Sequence, residues 1–131
     1  MNLRIAINLI ISYVRTKKTD NVDWTTIVEI FSNSYCTAYK FASGLLITQG
    51  QIIVPSPDLT VQTETVSFPV AYVSNPTVTA GLFSSSTSYS LGSLSAGASA
   101  VSTTSVSLRV FNNGAGARTP DVSFIAIGTW K

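Results

Sequence analysis

The sequence predicts an all-β protein, a β-sandwich forming a homotrimer, preceded by a short N-terminal segment of helical, coiled-coil character. Three observations carry this expectation. After Gly44 the apolar residues recur with a period of two, as side chains do when they alternate across a strand. Proline, asparagine and glycine interrupt the alternation at intervals of about 8–12 residues, the spacing of short sandwich strands. The last alternating segment is apolar on both sides and so calls for two covers, its own core and a neighbouring subunit.

The first 42 residues read differently from the rest. Leu3, Ile7, Ile10 and Val14 step by four, three and four, and after Lys17 and Asn21 the register resumes with Trp24, Val28, Phe31, Tyr35 and Ala38. Such spacing is the seam of helices packed against copies of themselves. The competing reading is β-structure, because Thr25, Thr26, Ile27, Val28 and Ile30 are β-branched. The periodicity favours helix, so residues 1–42 are expected to be an oligomerisation and attachment segment. Arg4 before an apolar run hints at a secretion signal, but no small-residue cleavage pattern follows and Arg15, Lys17 and Lys18 come next. The run is also too short to span a bilayer. Neither a processed leader nor membrane insertion is expected.

Residues 43–131 form the predicted sandwich. Leu45, Ile47 and Ile53 fall on one side and Leu46, Ile52 and Val54 on the other, around Gln49-Gly50-Gln51, which makes one or two strands. Pro55 to Asp58 turns the chain, since proline cannot donate to a ladder. Val66, Phe68 and Val70 alternate with less apolar neighbours, and Asn75-Pro76 turns into a strand with Val78, Ala80 and Leu82. Residues 84–107 contain 11 serines, but Tyr89, Leu91, Leu94 and Val101 interrupt them at spacings that fit short strands joined by Gly92 and Gly97. Val106, Leu108 and Val110 make the next strand, and Asn112-Asn113-Gly114 with Gly116 makes a loop of residues that tolerate positive φ. In the closing strand, Phe124, Ala126 and Trp130 lie on one face and Ile125 and Ile127 on the other.

Composition limits the function. Apolar residues make up 45% and charged ones 11% of the 131, which argues against disorder. The first 40 residues hold five basic and three acidic side chains, and the remainder holds three of each. With no basic stripe across the main domain, nucleic acid is not an expected partner. Cys36 is the sole cysteine, which suits folding in a reducing cytoplasm. Histidine is absent, removing the commonest general base and metal ligand. No zinc-type spacing or phosphate-cradling loop is present, so no metal, cofactor or catalytic residue is expected. Cys36 is assigned to packing, Asp58 to its turn, and Glu64 to an outward position.

Three blocks resemble a known family. Gly44-Leu45-Leu46-Ile47-Thr48-Gln49-Gly50-Gln51-Ile52, then Val66-Ser67-Phe68-Pro69-Val70-Ala71-Tyr72 with Asn75-Pro76-Thr77-Val78, and finally Phe124-Ile125-Ala126-Ile127-Gly128-Thr129-Trp130-Lys131, occur in the order found in the receptor-binding tips of tailed-bacteriophage tail fibres. The resemblance covers about residues 43–131. It implies a trimeric β-sandwich at the distal end of a virion fibre, assembled in the host cytoplasm, that binds a host cell-surface glycan or outer-membrane protein through exposed loops. Other tail proteins would attach through the N-terminal segment. The sequence departs from the pattern at Thr48-Gln49, where relatives often carry glutamine and an aromatic, and only 42 residues precede the domain where relatives carry a long shaft. Phe68, Tyr72, Pro76 and Val78 also resemble H-type lectins, which are trimeric sugar binders.

The expected receptor-binding residues are Asn112, Asn113, Arg118 and Asp121 around the last loop, together with Tyr89. Asn and Arg present several directed donors, and an aromatic face stacks on a sugar ring. The alternative for Asn112 and Asn113 is that they shape the turn. Phe124, Ile125, Ile127, Trp130 and Tyr72 are expected in the trimer interface or the core. Two other functions fit the same architecture: a structural trimerisation cap that binds no receptor, and a lectin unrelated to phage.

Overall fold

Eight strands are described, all paired antiparallel: β1 (Ile27–Ser32), β2 (Cys36–Phe41), β3 (Leu45–Ile53), β4 (Val61–Ser67), β5 (Thr77–Phe83), β6 (Leu94–Val101), β7 (Ser105–Asn112) and β8 (Asp121–Thr129). They come from a computed structural model that describes residues 4, 6–8, 10, 25–57, 59–83 and 93–131. The strands form a five-stranded sheet in the order β1-β2-β3-β8-β5 and a three-stranded sheet in the order β4-β7-β6. The chain changes sheet between β3 and β4, β4 and β5, β5 and β6, and β7 and β8, so the sheets lie face to face over one core.

Period-two alternation decides which residues enter that core. Leu46 and Ile52 of β3, Val78, Ala80 and Leu82 of β5, and Val122, Phe124 and Ala126 of β8 point inward from the larger sheet. Val66 of β4, Leu94 of β6, and Val106, Leu108 and Val110 of β7 meet them from the smaller one. The expected alternation in 45–54, 78–82, 106–110 and 122–130 is thus the observed one, and Gln49-Gly50-Gln51 lies within a single strand. The strand expected around Val66, Phe68 and Val70 ends sooner, at Ser67. Beyond it, Phe68 still packs in the core, edge-on to Tyr72 with ring centroids 5.2 Å apart. β6 runs through Gly97 without a break.

The helical reading of the second half of the N-terminal segment is overturned. Residues 27–41 form a β-hairpin, β1–β2, and β2 continues into the five-stranded sheet by pairing with β3. The three-four spacing of Val28, Phe31, Tyr35 and Ala38 was coincidental. The β-branched run Ile27, Val28 and Ile30 prefers extended backbone, and the free edge of β3 supplies the ladder that a local sequence cannot. Of the first half of the segment, Arg4, Ala6, Ile7, Asn8 and Ile10 are helical; Lys17, Asn21 and Trp24 lie outside the described residues. No helix among the described residues is long and apolar enough to cross a membrane.

Two buried titratable groups lie on the inner side. The Tyr72 hydroxyl donates to the Ala126 carbonyl at 3.0 Å and sits 2.8 Å from the Thr48 hydroxyl. Burial pushes its phenol up to about 12, partly opposed by the bond to Thr48. Burial likewise raises the Cys36 thiol, against a lowering bond to Asn33. Both values are raised in the folded chain, so the unfolded chain loses these protons first. Stability is therefore full below the unfolded values and falls as pH rises, from about 9 for Cys36 and from 10 towards about 12 for Tyr72. For Tyr72 alone the expected loss is about 2–3 kcal/mol. Urea unfolding at pH 8 and pH 11.5 measures it. Tyr72→Phe should flatten the decline, and an equally steep decline in that variant would show that Tyr72 is not its source.

Candidate functional site

The connections β3–β4 and β7–β8 lie at the same end of the sandwich, where β5 ends at Phe83 and β6 begins at Leu94. An isolated bridge joins the two described connections: Ser56 N–H donates to the Arg118 carbonyl at 2.7 Å, and Arg118 N–H returns a bond to Ser56 at 2.8 Å. Leu59 stands in the first of these loops at φ +50°, a conformation that a branched side chain rarely adopts, with its side chain exposed.

The residues singled out from sequence separate here. Asn112 is fully buried, and its amide nitrogen donates to the carbonyls of Ser56 (3.3 Å), Pro57 (3.2 Å) and Gly116 (3.0 Å). Its amide oxygen accepts from Gly114 N–H at 3.0 Å. Asn112 is therefore corrected from receptor contact to loop post, because every hydrogen-bonding position of its amide faces its own loops. Asn113 is exposed, and its N–H is bound to the Ser93 carbonyl. Arg118 is half-buried and donates to the carbonyls of Ala117 (3.2 Å) and Ala115 (3.1 Å), bracing the loop that carries it. Asp121 sits in register between Ile53 and Phe83 on the outer face of the large sheet. Tyr89 and Asp58 lie outside the described residues.

The closing strand finds its first cover within the chain. Tyr72 and Phe124 belong to the core of a single chain. Trp130 packs against that core, donates its indole N–H to the Phe41 carbonyl at 3.0 Å, and lies under the Lys40 ammonium at 4.7 Å. Ile125 and Ile127 face outward and are half-buried. Ile47, paired with Ile127 on the same outer face, is fully buried, as is Phe41. Part of the second cover is thus intramolecular. Edge strand β1 exposes apolar side chains along its length, Ile27, Val28, Ile30 and Phe31 all being solvent-accessible.

Sequence reasoning passed over the outer face of β3, β8 and β5. Cross-strand register places Gln49, Ile125 and Thr79 in one row, Gln51, Ser123 and Gly81 in the next, and Ile53, Asp121 and Phe83 in the third. A shallow trough of about 460 Å³ lies over the first two rows and is bounded by Phe83, a residue that is 52% exposed. A second cleft, lined by Tyr35, Gln51, Ile52, Ile53 and Glu64, opens at the edge of β3 beyond the start of β2. Glu64 was expected to point outward. It pairs with Leu108 and so shares the core-facing side of β4, and it remains accessible only because that side is open at the cleft. The alternation of Gln49, Gln51 and Ile53 was visible in the sequence, but nothing local placed Thr79, Gly81 and Ser123 beside them.

Among the described residues lining these clefts, Glu64 is the one carboxylic acid and no nucleophile–base pair is brought together. Cys36 is buried, as assigned, and its Sγ lies 3.4 Å from both Asn33 Oδ1 and the Ser67 carbonyl. Among the described residues no group of three potential metal ligands occurs.

Among solved structures, an N-truncated R1-type pyocin tail fibre superposes with TM-score 0.63 at 19% identity, over 79% of this chain and 88% of that one. The chain has the pyocin tail-fibre fold. A C-terminal portion of the R1 pyocin fibre of P. aeruginosa gives TM-score 0.62 at 19% identity, and the match spans 79% of this chain but 29% of that longer one. The tailspike of Acinetobacter baumannii bacteriophage AP22, solved with A. baumannii capsular saccharide, gives 0.52 at 14% identity over 65% of this chain and 17% of that one. The sequence matches no protein-family model and no curated protein. The resemblance noted in the three sequence blocks is therefore matched in the tail-fibre fold itself.

Proposed function

We propose that this chain is the receptor-binding domain of a bacteriophage-type tail fibre, a virion part that binds a host-surface glycan or outer-membrane structure as a homotrimer and catalyses nothing. The observation that carries the reading is the tail-fibre fold. The clustering of connecting loops, exposed apolar side chains and open clefts towards one end of it supports the same reading. Loops held by a rigid sandwich can present a fixed surface to a partner. Weak contacts repeated in three copies per fibre gain avidity without new interactions.

Strand β1 supports assembly. Its apolar side chains are exposed on both faces and it is a sheet edge, an arrangement that associates unless covered. A sister chain would cover it, and the N-terminal segment before it would join the rest of the tail. The same surface would serve a purely structural trimerisation cap, so the test must read binding separately from assembly. Purified protein is expected to sediment as a trimer and to label intact bacteria of a susceptible strain. Arg118→Ala, which loosens the β7–β8 loop, should stay trimeric and lose labelling about tenfold, corresponding to about 1.4 kcal/mol. A trimer that labels no strain would favour the cap. A stable single subunit at low concentration would remove the assembly altogether.

A further inference from the structure

We infer that the outer-face trough across β3, β8 and β5 is a binding site for a neutral, hydroxyl-rich saccharide chain; this rests on the receptor-binding reading and names its ligand class and its seat. The floor of the trough combines small residues with the outward-facing, half-buried Ile125. Gly81 is paired with Ser123, and a Cβ built at Gly81 meets no atom within 4 Å. Gln49 and Gln51 rise on the β3 side, with Thr79 and Phe83 on the β5 side. Its volume of about 460 Å³ lies in the range of small-ligand sites.

The chemistry of the lining selects the ligand. The side chains of Gln49, Gln51, Thr79 and Ser123 make no hydrogen bond to another described residue. Two amides and two hydroxyls therefore offer donors and acceptors together, which suits hydroxyl groups that both give and take a proton. Burying them under an apolar partner would cost their hydration without return. Exposed Phe83 at the end of the trough supplies a face for the C–H side of a sugar ring.

Charge excludes the obvious rival. No charged residue is found among the described residues that line the trough. The nearest charges placed by register and lining are acidic: Asp121 in the row beside it, and Glu64 in the cleft at the β3 edge. An anionic polymer would meet like charge at both places. Gln51 lines the trough and the edge cleft alike, and exposed Tyr35 stands in the latter. A chain crossing β3 would thus run from one aromatic to the other, which favours an oligosaccharide over a single sugar.

The test uses saturation-transfer NMR on the full chain with maltohexaose and an N-acetylglucosamine hexamer as neutral probes and hyaluronate fragments as the anionic one. Transfer to at least one neutral probe at millimolar concentration is expected, with less to hyaluronate. Gly81→Trp, which fills the trough, and Gln51→Ala should each cut transfer at least fivefold. Thr63→Trp, on the outer face of the other sheet, should leave it unchanged. Phe83→Ala gives the same readout should the tryptophan variant fail to fold. Transfer to no neutral probe, preference for hyaluronate, or wild-type transfer in both Gly81→Trp and Gln51→Ala would overturn the site. Bacteria labelled equally by wild type and Gly81→Trp would overturn the trough while leaving the receptor-binding reading standing. Sugar binding lost in Gly81→Trp by a protein that labels no bacteria would do the reverse.

Discussion

Gly50→Ala is expected to destabilise the chain by about 3 kcal/mol, near the upper end of the cost of overpacking a core. Gly50 lies in β3 opposite Phe124 on one side and Cys36 on the other. A Cβ there would come within 2.5 Å of Phe124 Cε1 and 2.7 Å of both Phe124 Cζ and Cys36 Cβ. The Phe124 ring is almost wholly buried and packs against Phe68 with centroids 6.4 Å apart, so it has no free space to retreat into. Cys36 Cβ is fixed by a paired strand. The methyl group must therefore displace the ring or part β2 from β3. Urea unfolding followed by tryptophan fluorescence measures the loss. Phe124→Leu in the Gly50→Ala background should recover part of it, because the smaller side chain vacates the contested space, and the double mutant should be more stable than the sum of single effects predicts. A Gly50→Ala protein as stable as the parent would mean that the two strands and the ring are not packed as described.

Asn112→Ala is expected to cost about 2–4 kcal/mol and to loosen the whole loop end. Its amide satisfies three carbonyls drawn from two connections and the N–H of Gly114. Truncation leaves those groups buried or forces the loops apart to find water. Asn112→Asp separates the hydrogen bonding from the packing. It keeps the shape but sets a carboxylate against the carbonyl oxygens of Ser56, Pro57 and Gly116. The ionised form is disfavoured in the fold, so the folded-state pKa of the new carboxyl rises above its unfolded value. Stability of the variant should then be highest in acid and fall as pH rises from about 4 through the raised folded value. An Asn112→Asp protein that is equally stable at pH 4 and pH 7, relative to the parent, would sink the assignment. Alkaline loss at Tyr72 has the same sign and a higher window, so the two effects are separable in one pH series.

Both predictions concern residues whose importance is invisible in the chain order. Gly50 reads as one residue of a polar interruption, and only its closeness to Phe124, 74 positions away, makes it indispensable. Asn112 reads as a turn former with donors to spare. Its burial follows from the bridge between Ser56 and Arg118, which draws two distant loops over it. The same contrast holds for Ile125 and Ile127. Their two-sided apolarity was legible, but whether a sister chain or the same chain covers that face depends on where Ile47 and Phe41 fall.

What the sequence determined by itself was which residues of each strand share a face. A period of two assigns alternate residues to opposite faces whatever the neighbours are, so Val78, Ala80 and Leu82, and Val106, Leu108 and Val110, could be grouped on one buried side. In 45–54 and 122–130, apolar on both faces, only the structure shows that Leu46, Ile52, Val122, Phe124 and Ala126 are the inner set. Tertiary structure alone decided the rest: the insertion of β8 between β3 and β5, the recruitment of Ile27–Phe41 as a hairpin, and the meeting of Gln51, Ser123 and Gly81 in one row. Strand order and register arise from long-range hydrogen bonds and shared burial, which compete among all partners at once. A local pattern carries no information about which partner wins.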